Sequence, residues 1–250
     1  MRRLFLLALP LALTACGARS ELPGDTSLYV DSDCSAPRIG LLGNPGAYDG
    51  GAFEVWLKNG GAHVERALTL AEQPLDADTL KPFDVVVLDW LTRDYTESEA
   101  AVLADWISAG GGAISLTGYD NNLTDDWHAN SLLAPLQVGY SGELISEGPV
   151  TDFAAHPITQ GLSSVVFKGG YSVSDLGGTA STRTRIAFLP TATDKTTVGY
   201  AVEMGSGRAF VWGDEWVEFL STEDANFNPT FWVQAFDWTA PETCRLTPTE

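Results

Sequence analysis

The amino-acid sequence predicts an α/β fold in three layers, with a mainly parallel sheet between flanking helices. From residue 38 onward, short apolar runs alternate with amphipathic stretches that end in glycines. Residues 83–88 are nearly continuous in apolar character, which is typical of a strand covered on both faces. The resulting β-α-β-α-β order indicates parallel strands joined by right-handed crossovers.

The first two strands are predicted at residues 38–42 and 62–68. A helix over residues 53–58 separates them, and it ends at Asn59-Gly60-Gly61, a favourable C-cap. Residues 83–88 form the third strand. This part of the chain therefore supplies one complete β-α-β unit and the start of the next.

The second helix has the clearest signature in the sequence. Thr96 and Glu99 form a capping box, and an apolar stripe follows at Ala100, Leu103, Ala104 and Ile107. Three glycines at residues 110–112 end the helix, and residues 113–116 are predicted as the fourth strand.

The second half of the chain predicts additional β segments. Their apolar centres are Val138, Leu144, Val165 and Val173. Clearer strands follow at residues 185–189, 197–203 and 208–212, and Gly205-Ser206-Gly207 predicts a hairpin between the last two. Asn228-Pro229 opens a closing helix that ends near Trp238.

The N-terminus has the features of a lipoprotein signal peptide. Arg2 and Arg3 precede an apolar run at residues 4–13, which is too short to span a bilayer. Leu13-Thr14-Ala15-Cys16 is typical of a lipobox, with Cys16 as the residue that takes the lipid. An ordinary signal peptide with a chance cysteine is the alternative.

These features predict a signal peptide at residues 1–15, a lipid-anchored tether at 16–36 and a single domain at 37–245. The bilayer would then be a partner through acylated (palmitoylated) Cys16. We expect a location in the cell envelope, with the outer membrane favoured over the inner because Gly17 rather than Asp follows the cysteine.

The charge of the chain excludes some classes of partner. It carries 14 basic and 33 acidic side chains, a formal net charge of −19. Such a field repels nucleic acid phosphates and anionic headgroups, so no nucleic acid partner is expected. Solubility of a surface protein is the preferred interpretation, and cation binding is the alternative.

The chain contains three cysteines, and lipidation of Cys16 leaves two of them. Cys34 precedes the first strand and Cys244 follows the last helix. Export places both in a compartment that permits disulfides, so a Cys34–Cys244 bridge is predicted. Two unpaired thiols are the alternative.

The order of these motifs resembles the class I glutamine amidotransferase-like superfamily, and most closely its non-amidotransferase, ThuA-like branch. The likeness rests on the third strand, the Thr96 capping box, the segment at residues 110–116, and the closing helix. It also rests on His156-Pro157-Ile158-Thr159-Gln160-Gly161-Leu162 and on residues 207–214, which read Gly-Arg-Ala-Phe-Val-Trp-Gly-Asp. The resemblance implies a flavodoxin-like fold over about residues 38–240.

The catalytic parts of the amidotransferases are missing from the matching positions. The turn after the fourth strand reads Thr117-Gly118-Tyr119, without the nucleophilic cysteine, and no His-x-Glu follows near the C-terminus. We therefore expect a non-catalytic domain that binds a ligand or protein partner. A hydrolase or carbohydrate-modifying enzyme that uses carboxylates at the strand ends is the alternative.

A candidate ligand pocket follows from the fold class, because ligands of open α/β sheets gather beyond the carboxyl ends of the strands. For each polar residue there, a loop cap or turn former is the competing interpretation. The candidate residues are Asn44, Asp89, Thr117, Tyr119, Asp120, His156, Asp214 and Glu215.

No cofactor is predicted, and calcium is the alternative considered. Oxygen-bearing residues alternate at Asp120, Asn122, Thr124 and Asp126, as at the start of a calcium loop. The loop lacks a glycine at its sixth place and has Ser131 where a glutamate is needed. A solvated turn is the preferred interpretation.

The eight tryptophans suggest a second kind of partner, since aromatic side chains stack on sugars. Packing is the preferred interpretation for most of them. Four lie nearer the mouth of the expected pocket, namely Trp90, Trp127, Trp212 and Trp216. An envelope protein or a glycan is therefore expected as partner, and a structural role in the envelope is a third interpretation.

Overall fold

The computed structural model describes residues 36–44, 51–117, 127–190, 194–219, 227–241 and 246. Within these ranges the strands are β1 (Arg38–Leu42), β2 (His63–Ala67), β3 (Val85–Leu88), β4 (Gly112–Ser115), β5 (Val138–Val150), β6 (Asp152–Phe153), β7 (Val165–Asp175), β8 (Thr182–Pro190), β9 (Lys195–Met204) and β10 (Gly207–Trp212). The helices are α1 (Gly51–Asn59), α2 (Ala77–Leu80), α3 (Glu97–Ser108), α4 (His128–Leu133) and α5 (Pro229–Thr239).

Eight of these strands form one mixed sheet in the order β2-β1-β3-β4-β10-β9-β8-β6. The first five are parallel, and the strands from β10 to β6 are antiparallel. The predicted mainly parallel α/β fold is confirmed. The predicted hairpin between β9 and β10 is confirmed as well, with Met204 paired to Gly207.

Each face of the sheet buries a separate apolar layer. Val85 and Val87 of β3 pack with α1 and α5, whereas Val86 and Leu88 pack with α3 on the other face. All four side chains are fully buried. The continuous apolar run in the sequence therefore reflects cover on both sides, as expected of a central parallel strand.

The capping box of α3 forms as the sequence predicts. Thr96 Oγ1 accepts the N–H of Glu99 at 3.3 Å, and Glu99 Oε2 accepts the N–H of Thr96 at 2.8 Å. Glu99 also pairs with Arg93, which holds the pKa of this carboxyl well below its usual range. These contacts fix the start of α3 and the loop that precedes it.

Strands β5 and β7 form a separate two-stranded antiparallel sheet, here called the ribbon. One end of the ribbon packs on the α3 face of the main sheet through Tyr140 and Val173. Its other end packs on the α1 and α5 face through Val150 and Phe167. The ribbon therefore passes from one face of the molecule to the other across an edge of the main sheet.

Several sequence predictions fall on other parts of the chain. The lipobox and its Cys16, most of the tether, and both Cys34 and Cys244 lie outside the described residues, so the lipidation and the disulfide stay predictions. No helix in the part of the chain that the structure describes is long and apolar enough to cross a membrane.

Candidate functional site

The carboxyl edge of the main sheet brings together four of the predicted site residues. Asp89 follows β3, Thr117 follows β4, and Asp214 and Glu215 follow β10, and each is at most 7% exposed. Asn44 follows β1 at the same edge but is exposed, and its side chain donates to the carbonyl of Thr69. Parallel strands end at one edge, which explains why residues far apart in sequence meet here.

His156 lies elsewhere. It caps a 3-10 turn at Pro157–Thr159, where Nδ1 accepts the N–H of Ile158 at 3.2 Å, and its ring packs edge-on against Trp238 at 4.8 Å. Burial lowers the pKa of His156; nearby Glu203 opposes this shift, and Arg208 at the start of β10 adds to it. Since Asp214 follows the far end of β10, roughly 20 Å of strand separates it from Arg208.

Tyr119, Asp120, Asn122, Thr124 and Asp126 lie outside the described residues. Among the residues that the structure describes, no group of three or more histidines, cysteines or carboxylates is arranged to hold a metal ion.

A hydrogen-bonded pair that the sequence did not reveal lies beside these carboxylates. The hydroxyl of Tyr140 donates to Ser115 Oγ at 2.8 Å, and it is 3.3 Å from the carbonyl of Trp212. Complete burial raises the pKa of Tyr140 above its ordinary range, and the charges of Asp89 and Glu215 raise it further. Tyr140 therefore stays a neutral donor at physiological pH.

The side chain of Asp214 binds the ribbon. Its Oδ2 accepts the N–H of Lys168 in β7 at 2.6 Å, and its Oδ1 accepts the N–H of Trp216 at 2.8 Å. Burial raises the pKa of this carboxyl to about 7, against the opposing effect of the two hydrogen bonds.

The ribbon crosses directly over the ends of β4 and β10. The N–H of Tyr171 donates to the carbonyl of Gly213 at 2.9 Å. A Cβ on Gly170 would lie 1.8 Å from that carbonyl oxygen and 3.2 Å from the carbonyl oxygen of Thr117. Only glycine permits so close an approach of two backbones. At this point of the edge, the crevice that binds ligands in other open sheets contains the protein's own backbone.

No protein-family model matches the sequence, and no curated protein matches it. Solved structures do match. The N-terminal domain of mmIFT52 is 13% identical with a TM-score of 0.61, over 80% of this chain and 96% of that one. The cytoplasmic protein STM3548 from Salmonella typhimurium is 15% identical with a TM-score of 0.57, over 82% and 99%.

A putative ThuA-like protein from Parabacteroides merdae is also similar. It is 15% identical with a TM-score of 0.53, and the match covers 86% of this chain and 93% of that one. At such identities the likeness concerns the fold alone. The chain has an α/β fold of the kind found in that ThuA-like protein.

Proposed function

We propose that this chain is a lipid-anchored protein of the cell envelope whose amidotransferase-like domain binds a ligand or protein partner without catalysing a reaction. The observation that carries the proposal is the ribbon lying across the carboxyl edge of the sheet. Tyr171 and Lys168 of the ribbon donate backbone hydrogen bonds to Gly213 and Asp214. A substrate could reach the Gly213 carbonyl and this oxygen of Asp214 only if these contacts broke.

The absence of amidotransferase residues in the sequence supports the same proposal. The turn after β4 begins with Thr117 where the amidotransferases have their cysteine, and Thr117 is 3% exposed. A nucleophile needs both a reactive group and access to substrate. This position offers neither a thiol nor an open approach.

The path of the chain is compatible with an anchor at Cys16. Arg38 begins β1 at the amino edge of the sheet, which is the edge opposite to the ribbon. The tether at residues 16–36 would therefore join the domain at one end and leave the ribbon facing away from the membrane. Gly17 favours the outer membrane as the location.

A Cys34–Cys244 disulfide is part of the proposal. The N–H of Asp84 donates to the carbonyl of Arg38, and the N–H of Gly112 donates to the carbonyl of Asp84. Two strand spacings, about 10 Å, therefore separate Arg38 from Gly112. Gly112 packs against the carbonyl of Thr239 at the end of α5. Cys34 is four residues from Arg38, and Cys244 is five residues from Thr239. At about 3.3 Å per residue, these two segments are long enough to bring the cysteines together.

Two measurements test the proposed function. Cells fed alkyne-palmitate should label the full-length protein and leave a Cys16→Ala variant unlabelled. The purified protein should hydrolyse neither glutamine nor aryl glycosides faster than an Asp89→Asn, Glu215→Gln double variant. Turnover that the double variant lacks would contradict the non-catalytic proposal, and palmitate on the Cys16→Ala protein would contradict the anchor.

The alternative is a hydrolase or carbohydrate-modifying enzyme, and the grouping of Asp89, Ser115, Tyr140 and Glu215 favours it. Release of the ribbon from Gly213 and Asp214 would open the edge of the sheet beside these groups. Asp214→Ala removes the acceptor for the N–H of Lys168, so under this alternative it should raise turnover. An inactive Asp214→Ala protein that still folds would speak against an enzyme built on Asp89 and Glu215.

A further inference from the structure

We propose that the carboxyl group of Asp214 is a pH-sensitive latch on the ribbon, and that the latch opens when this carboxyl group ionises. It holds residues 168–171 of the ribbon, here called the crossing, against the end of β10. Only the crossing is released, because the two ends of the ribbon stay packed in separate apolar layers through residues such as Val173 and Phe167. The inference concerns regulation and does not depend on what the domain binds.

Two hydrogen bonds, one at each end of the crossing, tie it to the sheet. Asp214 Oδ2 accepts the N–H of Lys168 at 2.6 Å, and the carbonyl of Gly213 accepts the N–H of Tyr171 at 2.9 Å. The second oxygen of Asp214 accepts the N–H of Trp216 at 2.8 Å, which holds the carboxyl group in place. Asp214 is therefore the side chain through which the sheet grips the crossing.

The backbone of the crossing is less firmly tied to β5 than the rest of β7 is. Gly169 and Gly170 lie between the two anchored residues, with φ angles of 142° and 159°. Glycine has the widest conformational freedom, so these two positions can act as a hinge. Pairing with β5 is irregular at the same place, where residues 142–144 stand opposite Tyr171 alone. The crossing can therefore move while the paired segments on either side stay in place.

Ionisation of Asp214 is costly while the crossing is closed. The residue is 3% exposed, and it forms no ion pair among the residues that the structure describes. The ammonium group of Lys168 pairs instead with Glu147 Oε1 at 2.7 Å, and Glu215, the next residue in the chain, lies near Tyr140. The other side chains of the recess beside Asp214 are uncharged, and they include Val217, Asn228 and Trp232. A buried carboxylate without a counter-ion favours any movement that brings water to it.

The direction of the pH response follows from this burial. In the closed state burial raises the pKa of Asp214 to about 7, whereas an open crossing would return the carboxyl group toward its ordinary 3.8. The stability that protonation gives to the closed state is therefore full below pH 3.8 and is lost as the pH rises to about 7. Between about pH 5 and pH 7, the ratio of open to closed crossings should rise at least about tenfold.

Hydrogen exchange in the full-length protein tests the latch. The exchange rates of the Lys168 and Tyr171 amides are measured at about pH 5 and pH 7, and each is divided into the intrinsic rate at that pH to give a protection factor. The amide of Val87, in the centre of the sheet, reports global unfolding. We expect Lys168 and Tyr171 to be less protected than Val87 at both pH values, and their protection to fall at least about tenfold between them.

Two variants assign the response to one carboxyl group. Asp214→Asn cannot ionise, so the protection of its crossing should not change with pH. Glu147→Gln is the matched control, because it removes the partner of Lys168 and leaves Asp214 unchanged, and it should respond as the wild type does. A wild-type crossing as protected as Val87, or one whose protection does not fall with pH, would overturn the latch without the need for any variant. An unchanged pH response in Asp214→Asn would overturn it as well.

Discussion

The carboxyl group of Asp214 is 3% exposed and accepts two backbone hydrogen bonds at the point where the ribbon meets the sheet. Burial raises its pKa from an ordinary 3.8 to about 7 in the folded protein. The folded state therefore holds this proton more tightly than the unfolded state does. The stability that protonation provides is fully present below pH 3.8 and is lost as the pH rises to about 7.

We predict that the contribution of Asp214 to the free energy of unfolding falls as the pH rises across this window. Denaturant titration at successive pH values measures it. Asp214→Asn cannot titrate and keeps one acceptor of two. The free energy of unfolding of the wild type, minus that of the variant, should therefore decline from pH 4 toward pH 7. A difference that does not vary with pH would show that Asp214 titrates at its ordinary value.

The effect of pH on stability through His156 is opposite to the effect through Asp214. Burial lowers its pKa below 6.5, so the stability from the neutral ring is present above pH 6.5 and is lost as the pH falls through the folded value. Protonation would also remove the Nδ1 acceptor that caps Ile158.

We expect His156→Ala to lose about 1 kcal/mol of stability at pH 8, the usual effect of removing a cap. His156→Asn supplies an oxygen acceptor that does not titrate, so it should retain the cap and show less loss of stability in acid. Equal stability of the Ala and Asn variants at pH 8, measured by urea unfolding, would show that the cap contributes nothing.

At the residue scale, the sequence predicted the carboxylates but not their roles. Asp89, Asp214 and Glu215 follow apolar strands directly, so the fold class was enough to place them at one edge. Ser115 was detectable in principle as a polar residue within an otherwise apolar strand. Tyr140 was not, because its bond to Ser115 depends on a ribbon whose path has no local signature.

Among the elements, the ribbon depends most on close backbone contact. A Cβ at Gly170 would lie 1.8 Å from the carbonyl oxygen of Gly213, and backbone on both sides limits relaxation. We predict that Gly170→Ala destabilises the protein by at least about 2 kcal/mol, or displaces the ribbon from the edge.

Gly148→Ala on β5 is the matched control, since its Cβ would meet only Leu189 at 3.8 Å. It should change stability by less than about 1 kcal/mol. Urea unfolding gives both values, and hydrogen exchange at the Tyr171 amide reports the bond to Gly213. Unchanged exchange and stability in Gly170→Ala would contradict the close approach.

The elements also show where sequence patterns lose information. The capping box and apolar stripe of α3 are local, so the helix was predicted close to its observed bounds. The ribbon strands are 13 and 11 residues long but appeared in sequence as short fragments. Glycines and serines interrupt their apolar pattern because parts of both strands are solvent-exposed or cross another backbone. The short helix α2 was not predicted.

For the whole molecule, the two cysteines would join the ends of the domain. We predict that Cys34→Ser and Cys244→Ser each lower stability by about 2–5 kcal/mol, measured without reductant. With reductant, wild type and variants should melt alike. Free-thiol labelling of two cysteines in the unreduced, unfolded wild type would contradict the bridge.

The global architecture was the part best predicted from sequence. Repeated β-α units allow few topologies, so the parallel half of the sheet followed from the order of elements. The antiparallel half was predicted as extra strands without their order. The position of the ribbon over the carboxyl edge could not be predicted, because it depends on contacts between residues far apart in sequence. Lys168 and Asp214, for example, are 46 positions apart.

The position of β1 determines how the domain would carry a mechanical load. Arg38 would receive the proposed tether, and β1 lies between β2 and β3, with parallel neighbours on both sides. A partner held near the ribbon would pull along the strands against an anchor at the opposite edge. The hydrogen bonds of β1 would then be loaded together in shear, rather than broken one after another, so the strand that bears the load is also among the most firmly held.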